Sequence, residues 1–241
     1  MRMYSASGRS RWPIVIGAAV VVVAVGGVVV YANTRGDTTP TATRTTSSAS
    51  TAPTSIPTGG TSGGGDNEGD AAPTGCLGGQ DRTAAMVLAA QKSAGHSSYG
   101  AVEVATSFYR WLWQYPYPSA AEAQTVSDAI VSPDASEALK NIEAQYQAAG
   151  NNPTQGVVPP DGKFFMSTTN GVWSVLEGGT PNRVTVQLAA GYVIDGALSP
   201  TKTGVSGYVM VWQNGAWRIS TGTPVDQTKL ANAGTRFTGG C

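Results

Sequence analysis

Residues 12–32, WPIVIGAAVVVVAVGGVVVYA, carry no charged side chain. About 20 apolar residues in a helix cross the hydrocarbon core of a bilayer, and a helix satisfies every peptide group within itself there. Trp12 and Tyr31 stand at the two ends of the run, where amphipathic rings favour the headgroup zone. Arg2, Arg9 and Arg11 precede it, while beyond it Arg35 is followed closely by Asp37. The positive-inside rule therefore predicts residues 1–11 as a cytoplasmic tail and 12–32 as a transmembrane helix. The bulk of the chain is then outside the plasma membrane. A cleaved signal peptide is the competing reading, since VYA before Asn33 has the small-residue character of a cleavage site. The run exceeds the usual length of about 7–15 apolar residues in such a peptide, which favours the anchor. Both readings export the remainder.

Residues 33–75 are rich in Thr, Ser, Pro and Gly and nearly free of large apolar side chains. Such a segment cannot bury enough surface to offset its ordering entropy, and it reads as a disordered linker. As a coil it would span about 35–40 Å r.m.s.. Its PTGGTSGGGDNEG stretch lacks the strand, lysine and helix of a phosphate-binding loop. The remaining residues, 76–241, read as one extracytoplasmic domain.

Cys76 enters that domain and Cys241 closes it. Export places both in a disulfide-permissive compartment. A bridge between them would contribute about 4–5 kcal/mol by constraining the unfolded chain. Intermolecular pairing and free thiols are the alternatives. No Cys–His cluster suggests zinc.

Within the domain, helical signals come first. DRTAAMVLAAQKS begins with Asp81 as a candidate N-cap. In SYGAVEVATSFYRWLWQ, Ala101, Ala105, Phe108 and Leu112 fall on one helical face. Ser119 with Glu122, and Asp134 with Glu137, have capping-box spacing. Ala135, Leu139, Ile142, Tyr146 and Ala149 form an apolar stripe, and Gly150 fits the helix end. After Gly150 the pattern turns to strands. KFFMST and VWSVLEG flank Asn170-Gly171, a hairpin signal. In RVTVQLAAGYVID, Val184, Val186, Leu188, Ala190, Tyr192 and Ile194 alternate with Thr185, Gln187 and Asp195, as in a strand with one buried face. Asn214-Gly215 predicts a two-residue turn that pairs Gln213 with Ala216, Trp212 with Trp217 and Met210 with Ile219, with Tyr208 on the same face.

The fold class is therefore α+β, N-terminal helices on a curved antiparallel sheet. This order, with the VWQNGAWRI hairpin, resembles the nuclear-transport-factor-2-like cone fold. With the anchor added, the layout resembles the bitopic scaffold subunits of type IV secretion and conjugation machines and the actinobacterial Mce-associated membrane proteins. The resemblance implies a non-enzymatic, membrane-tethered scaffold or assembly subunit. Its partners would be the bilayer, through residues 12–32, and cell-envelope proteins, a second copy of the chain included. A small-ligand-binding or enzymatic cone whose pocket is lined by Tyr192, Trp212 or Trp217, and a surface module for peptides or glycans, are the alternatives.

Charged residues are 12% of the chain and the formal net charge is zero, which gives nucleic-acid binding no basic face. His96, the one histidine, lies in SAGHSSYG, which reads as a loop; without a fixed acid partner it makes no triad. Asp195 reads as a turn residue. Glu103 and Arg110 read as the solvated side of their helix. No cofactor, metal or catalytic set is expected. In YRWLWQYPYP the helix should end near Gln114, ahead of proline, and Trp111 and Trp113 then point about 200° apart. Trp111, Trp113, Tyr115 and Tyr117 are the candidate interaction patch.

Overall fold

The computed structural model describes Tyr31–Ala32, Asn67 and residues 69–241. The expected membrane helix lies outside the described residues except for its last two. These are not helical: β1 (Tyr31–Ala32) pairs antiparallel with Thr203 and Lys202. Among the described residues no helix is long and apolar enough to cross a membrane.

The architecture is α+β, with helices packed on a curled antiparallel half-barrel. The helices are α1 (Ala84–Ser93), α2 (Ser98–Leu112), α3 (Ala120–Ile130), α4 (Glu137–Lys140), α5 (Ile142–Ala149) and α6 (Gln227–Ala233). The strands after β1 are β2 (Gln114–Tyr115), β3 (Phe164–Val175), β4 (Arg183–Ile194), β5 (Ala197–Gln213), β6 (Ala216–Gly222) and β7 (Thr235–Arg236). They run in the order β1-β5-β4-β3-β2, with β6 also on β5 and β7 also on β3.

The capping chemistry sets the helix starts. Thr83, not Asp81, caps α1 by accepting from the Met86 amide. Ser119 and Glu122 form the expected reciprocal box on α3. The second expected box does not form. Ser136 precedes α4 without a side-chain cap bond, and Asn141 interrupts the helix and caps α5 itself. Two short helices thus replace one, because an Asn side chain offers the backbone a competing partner.

Strand alternation in β4 is as expected: Val184, Val186, Leu188, Ala190 and Tyr192 are buried in the main core. The other face is not open, however. Ala189 and Val205 pack with Leu230 of α6, and Gln187 donates to the Pro224 carbonyl. The Asn214-Gly215 turn gives the pairs Gln213–Ala216, Trp212–Trp217 and Met210–Ile219, as read from the sequence. Asp195 and Gly196, both at positive φ, turn β4 into β5.

Asn170-Gly171 makes no hairpin. It lies inside the continuous β3, where Ser167 faces Gly191 but Val172 already faces Ala189. Thr168–Gly171, four residues opposite Ala190 alone, bulge out and receive the C-terminal strap. Thr168 donates its amide to the Cys241 carbonyl, and Phe237 donates to the Gly171 carbonyl. A Cβ at Gly171 would sit 2.8 Å from the Ala189 carbonyl oxygen and 2.9 Å from that of Thr168. Gly171→Ala should therefore cost about 1–3 kcal/mol by overpacking. Urea denaturation checks this, and an unchanged midpoint would contradict the docking geometry.

Tyr109, Tyr192 and Tyr208 are almost wholly buried between α2 and the sheet. Burial pushes all three phenols upward from 10.0; for Tyr109 the neighbouring Tyr192 and Tyr208 add to the shift. The folded state holds these protons where the unfolded chain releases them. Stability should thus be intact below pH 10 and fall above it by up to about 1.4 kcal/mol per pH unit for each such tyrosine. Denaturation midpoints measured from pH 8 to beyond pH 10 check the sign; a rising midpoint would refute it.

Candidate functional site: a tyrosine groove at the end of α2

Helix α2 stops at Leu112, two residues short of the expected end near Gln114, and Gln114–Tyr115 pair with Phe165–Phe164 as β2. The chain then runs through two prolines to the Ser119 cap of α3. This short path swings Tyr115 and Tyr117 out toward α5. The Tyr117 ring stacks on Tyr146 at 4.3 Å, and Tyr115 meets Tyr117 edge-on at 5.2 Å. Pro118, Ala120, Glu143, Gln147 and Gly150 complete a groove of about 280 Å³.

Each phenol is tied by its oxygen. Tyr117 donates to the Gly150 carbonyl at 2.9 Å, Tyr146 to the Leu112 carbonyl at 3.0 Å, and Tyr115 to Asp161 at 3.3 Å. Leu112 and Gly150 lie at the ends of α2 and α5, where carbonyls lack partners within the helix. Burial pushes Tyr117 up to about 12, with Tyr115 a second cause, and raises Tyr146 by burial foremost. With the hydroxyls held by backbone or by Asp161, the rings present their remaining free faces to the groove. At its rim Gln147 donates to the exposed Glu143.

The expected patch is thereby divided. Tyr115 and Tyr117 belong to the groove. Trp111 is 0% exposed and packs on Phe108 in the core. Trp113 is only half-exposed, its indole nitrogen buried. The Trp111 indole offers no contact surface, because α2 is covered all round rather than on one face. Tyr146 was legible only as one member of the α5 apolar stripe, and nothing in its spacing marks it as a groove wall.

The other residues singled out in the sequence lie elsewhere. His96 is exposed in the α1–α2 loop and stacks on Trp212 at 4.2 Å. Its Nε2 meets the Asn182 side-chain oxygen at 2.8 Å and the Pro181 carbonyl at 3.1 Å, so it carries the proton and no carboxylate orients it. Tyr192 and Trp217 are both 0% exposed, and the Trp217 indole donates to the Gly95 carbonyl. With Trp212 out at the hairpin end beside His96, these three do not line a common pocket. Among the described residues no three His, Cys, Asp or Glu side chains gather as a metal site.

Glu103 and Arg110 correct a sequence expectation. They are 8% and 0% exposed, not solvated. The Glu103 carboxylate accepts from the Thr74 amide at 2.5 Å, the Thr74 hydroxyl at 2.9 Å, the Gly75 amide at 3.2 Å and the Leu77 amide at 3.4 Å. Arg110 donates to the carbonyls of Gly75 at 3.4 Å, Gly79 at 3.1 Å and Gln80 at 3.1 Å. Burial draws the guanidinium down to about 10, the Arg82 charge adds to this, and Glu103 opposes it. The two charges clamp the loop that carries Cys76, which bridges to Cys241 across a Cα–Cα distance of 5.7 Å. Residues ahead of Cys76 also belong to the domain: Asn67 accepts from the Ser98 hydroxyl and Tyr99 amide, and Asp70 accepts from Ser97. The expected linker therefore ends earlier than residue 75.

No family model, curated protein or solved structure matches the chain.

Proposed function

We propose that the chain is a membrane-tethered extracytoplasmic assembly subunit, non-enzymatic, which offers the Tyr115–Tyr117–Tyr146 groove to a protein partner in the cell envelope. One observation carries the docking role: three half-buried tyrosine rings line a groove while their hydroxyls are held by backbone or Asp161. Rigid aromatic side chains bind partners at low entropic cost and concentrate at interaction hot spots. The tether is the apolar run 12–32 with its preceding arginines, which gives the plasma membrane as the location and the cytoplasm as the side of residues 1–11. The layout resembles that of both groups named above, the transfer-machine scaffolds and the Mce-associated membrane proteins.

The test is cross-linking in native membranes followed by purification of the full chain. Tyr117→Ala should cut partner recovery about tenfold or more and reduce stability by only about 1 kcal/mol through the lost bond to Gly150. Equal recovery of the same partners by wild type and variant would remove the groove from the proposal.

A second reading has its own observation. The hydroxyls of Tyr109 and Tyr192 are buried without a hydrogen-bond partner, and that of Tyr208 has only the Ser206 hydroxyl and the Trp113 indole beside it. Groups of this kind suit a small polar ligand held inside the half-barrel. If they are only packing, Tyr109→Phe with Tyr208→Phe should leave stability unchanged or raised.

A further inference from the structure

The side chains around the tyrosine groove have already committed their protons. Tyr117 donates to the Gly150 carbonyl, Tyr146 to the Leu112 carbonyl and Tyr115 to Asp161. Gln147 gives one amide hydrogen to Glu143. Pro118 and Ala120 bring no polar side-chain atom, so among the side chains of the lining only Gln147 keeps a hydrogen to give. What the groove offers is lone pairs, ring faces and one negative charge. We infer that it receives a guanidinium, carried in by an arginine side chain of the protein partner. The inference rests on the reading of this groove as a docking site, and adds the chemistry of what docks there.

Charge points to a cation. Glu143 is exposed, and among the described residues no lysine or arginine pairs with it; the ion pair on these helices is Lys140–Glu137. Its place in the first turn of α5 favours the helix dipole, which accounts for an acid there. That role leaves one oxygen open, since only Oε1 accepts from Gln147. Asp161, behind Tyr115, is held by the Tyr115 hydroxyl and the Asn151 amide, again without a cation. An anionic ligand would meet these carboxylates and almost no side-chain donor.

Size and shape narrow the cation. A volume of about 280 Å³ falls below the range of about 300–1,000 Å³ usual for sites that enclose a whole small molecule. It suits the end of one side chain. Tyr117 and Tyr146 stack on each other at 4.3 Å, which leaves each ring one further face, and Tyr115 stands edge-on to Tyr117 at 5.2 Å. The rings are half-buried, so packing holds their planes in place, and all three still line the groove. A cation over such a face is attracted by the ring quadrupole. Arginine fits better than lysine, because its guanidinium is flat, stacks on aromatic rings and is more weakly hydrated than an ammonium. Its five donors have acceptors to meet: Glu143 Oε2, Gln147 Oε1 and the second lone pair of the Gly150 carbonyl. A sugar would also stack on tyrosine, but its hydroxyls need donors as well as acceptors.

The experiment uses the full chain in lipid nanodiscs with isotope-labelled tyrosine rings, followed by NMR. N-acetyl-arginine amide is titrated in, with N-acetyl-citrulline amide, N-acetyl-lysine amide and N-acetylglucosamine in parallel. Tyr117→Phe and Tyr146→Phe assign the ring signals. The expected result is a saturable shift of the Tyr117 and Tyr146 signals with arginine amide, with a Kd on the order of millimolar. Citrulline amide has nearly the same shape without the charge and should bind about tenfold more weakly; lysine amide should fall between the two. Glu143→Gln should weaken arginine amide about tenfold and leave citrulline amide unchanged. Unmoved signals of the buried tyrosines Tyr109, Tyr192 and Tyr208 show that this variant keeps its fold. Equal binding of arginine and citrulline amides, an undiminished affinity in Glu143→Gln, or a response to N-acetylglucosamine alone would each overturn the guanidinium site. The two proposals fail separately. If partner recovery depends on Tyr117 but arginine amide moves no ring signal, the inference falls alone. If arginine amide binds as expected but partner recovery survives Tyr117→Ala, the assembly role of the groove falls alone.

Discussion

Replacing Cys241 by serine is expected to destabilise the domain by about 5 kcal/mol. The bridge to Cys76 closes a loop with a sequence separation of 165, among the longest a domain of this size can enclose. Its effect is mainly on the unfolded chain, whose conformational freedom it removes. For a domain of this length each kcal/mol moves the melting temperature by about 2–4 °C, so the loss should appear as a drop of about 10–20 °C. Scanning calorimetry of the full chain checks this, with Cys76→Ser and wild type under reductant as parallel samples. All three should agree. A shift under about 2 °C in each would mean that the noncovalent docking of both ends already restrains the unfolded state.

Arg110→Met is expected to cost about 3–5 kcal/mol. The side chain is wholly buried and donates to three carbonyls, of which Gly75 also accepts from Thr168 and Gln80 from Arg82, while Gly79 has Arg110 alone. Its removal leaves the Gly79 carbonyl unpaired, takes one donor each from Gly75 and Gln80, and strips the Glu103 carboxylate of its nearby positive charge. Lysine should not restore the loss, since a single ammonium cannot reach three acceptors that the planar guanidinium serves together. Glu103→Ala should be comparable, because four donors from Thr74, Gly75 and Leu77 converge on that carboxylate. The clamp and the disulfide hold the same loop. The double variant Arg110→Met with Cys241→Ser should therefore lose less than the sum of the single losses. A cycle of denaturation midpoints reads that coupling, and strict additivity would show that the clamp acts independently of the bridge.

The sheet was legible where local chemistry is decisive. Alternation in Val184–Tyr192 needs only a two-residue period, and Asn214-Gly215 needs only a turn with positive φ at both positions. Asn170-Gly171 has the same dipeptide signature, yet tertiary docking of the C-terminal strap turns it into a bulge within β3. No local rule distinguishes the two. Helix α2 was legible as a helix but not in its surroundings. Glu103 and Arg110 stand seven residues apart on one face of a helix otherwise small or apolar. A helix apolar nearly all round is buried all round, and that reasoning would have placed both charges inside. Of the candidate site, the tyrosines of YPYP were legible; the contribution of Tyr146 was not, because its stacking on Tyr117 arises only when α5 folds back over the end of α2.

The ring closed by Cys76 and Cys241 also fixes how the domain bears load. A pull from the N-terminal side first works against the pairing of Tyr31–Ala32 with β5 and the bonds of Asn67 and Asp70 to the start of α2; once it reaches Cys76, the bridge passes it directly to Cys241, whose strap lies on Thr168 of β3. Tension between the two ends therefore runs through one covalent bond rather than through the sheet. Drawn apart at its termini, the oxidised protein would lengthen only by the segment before Cys76. The helices and strands between the cysteines would stay folded until the sulfurs part.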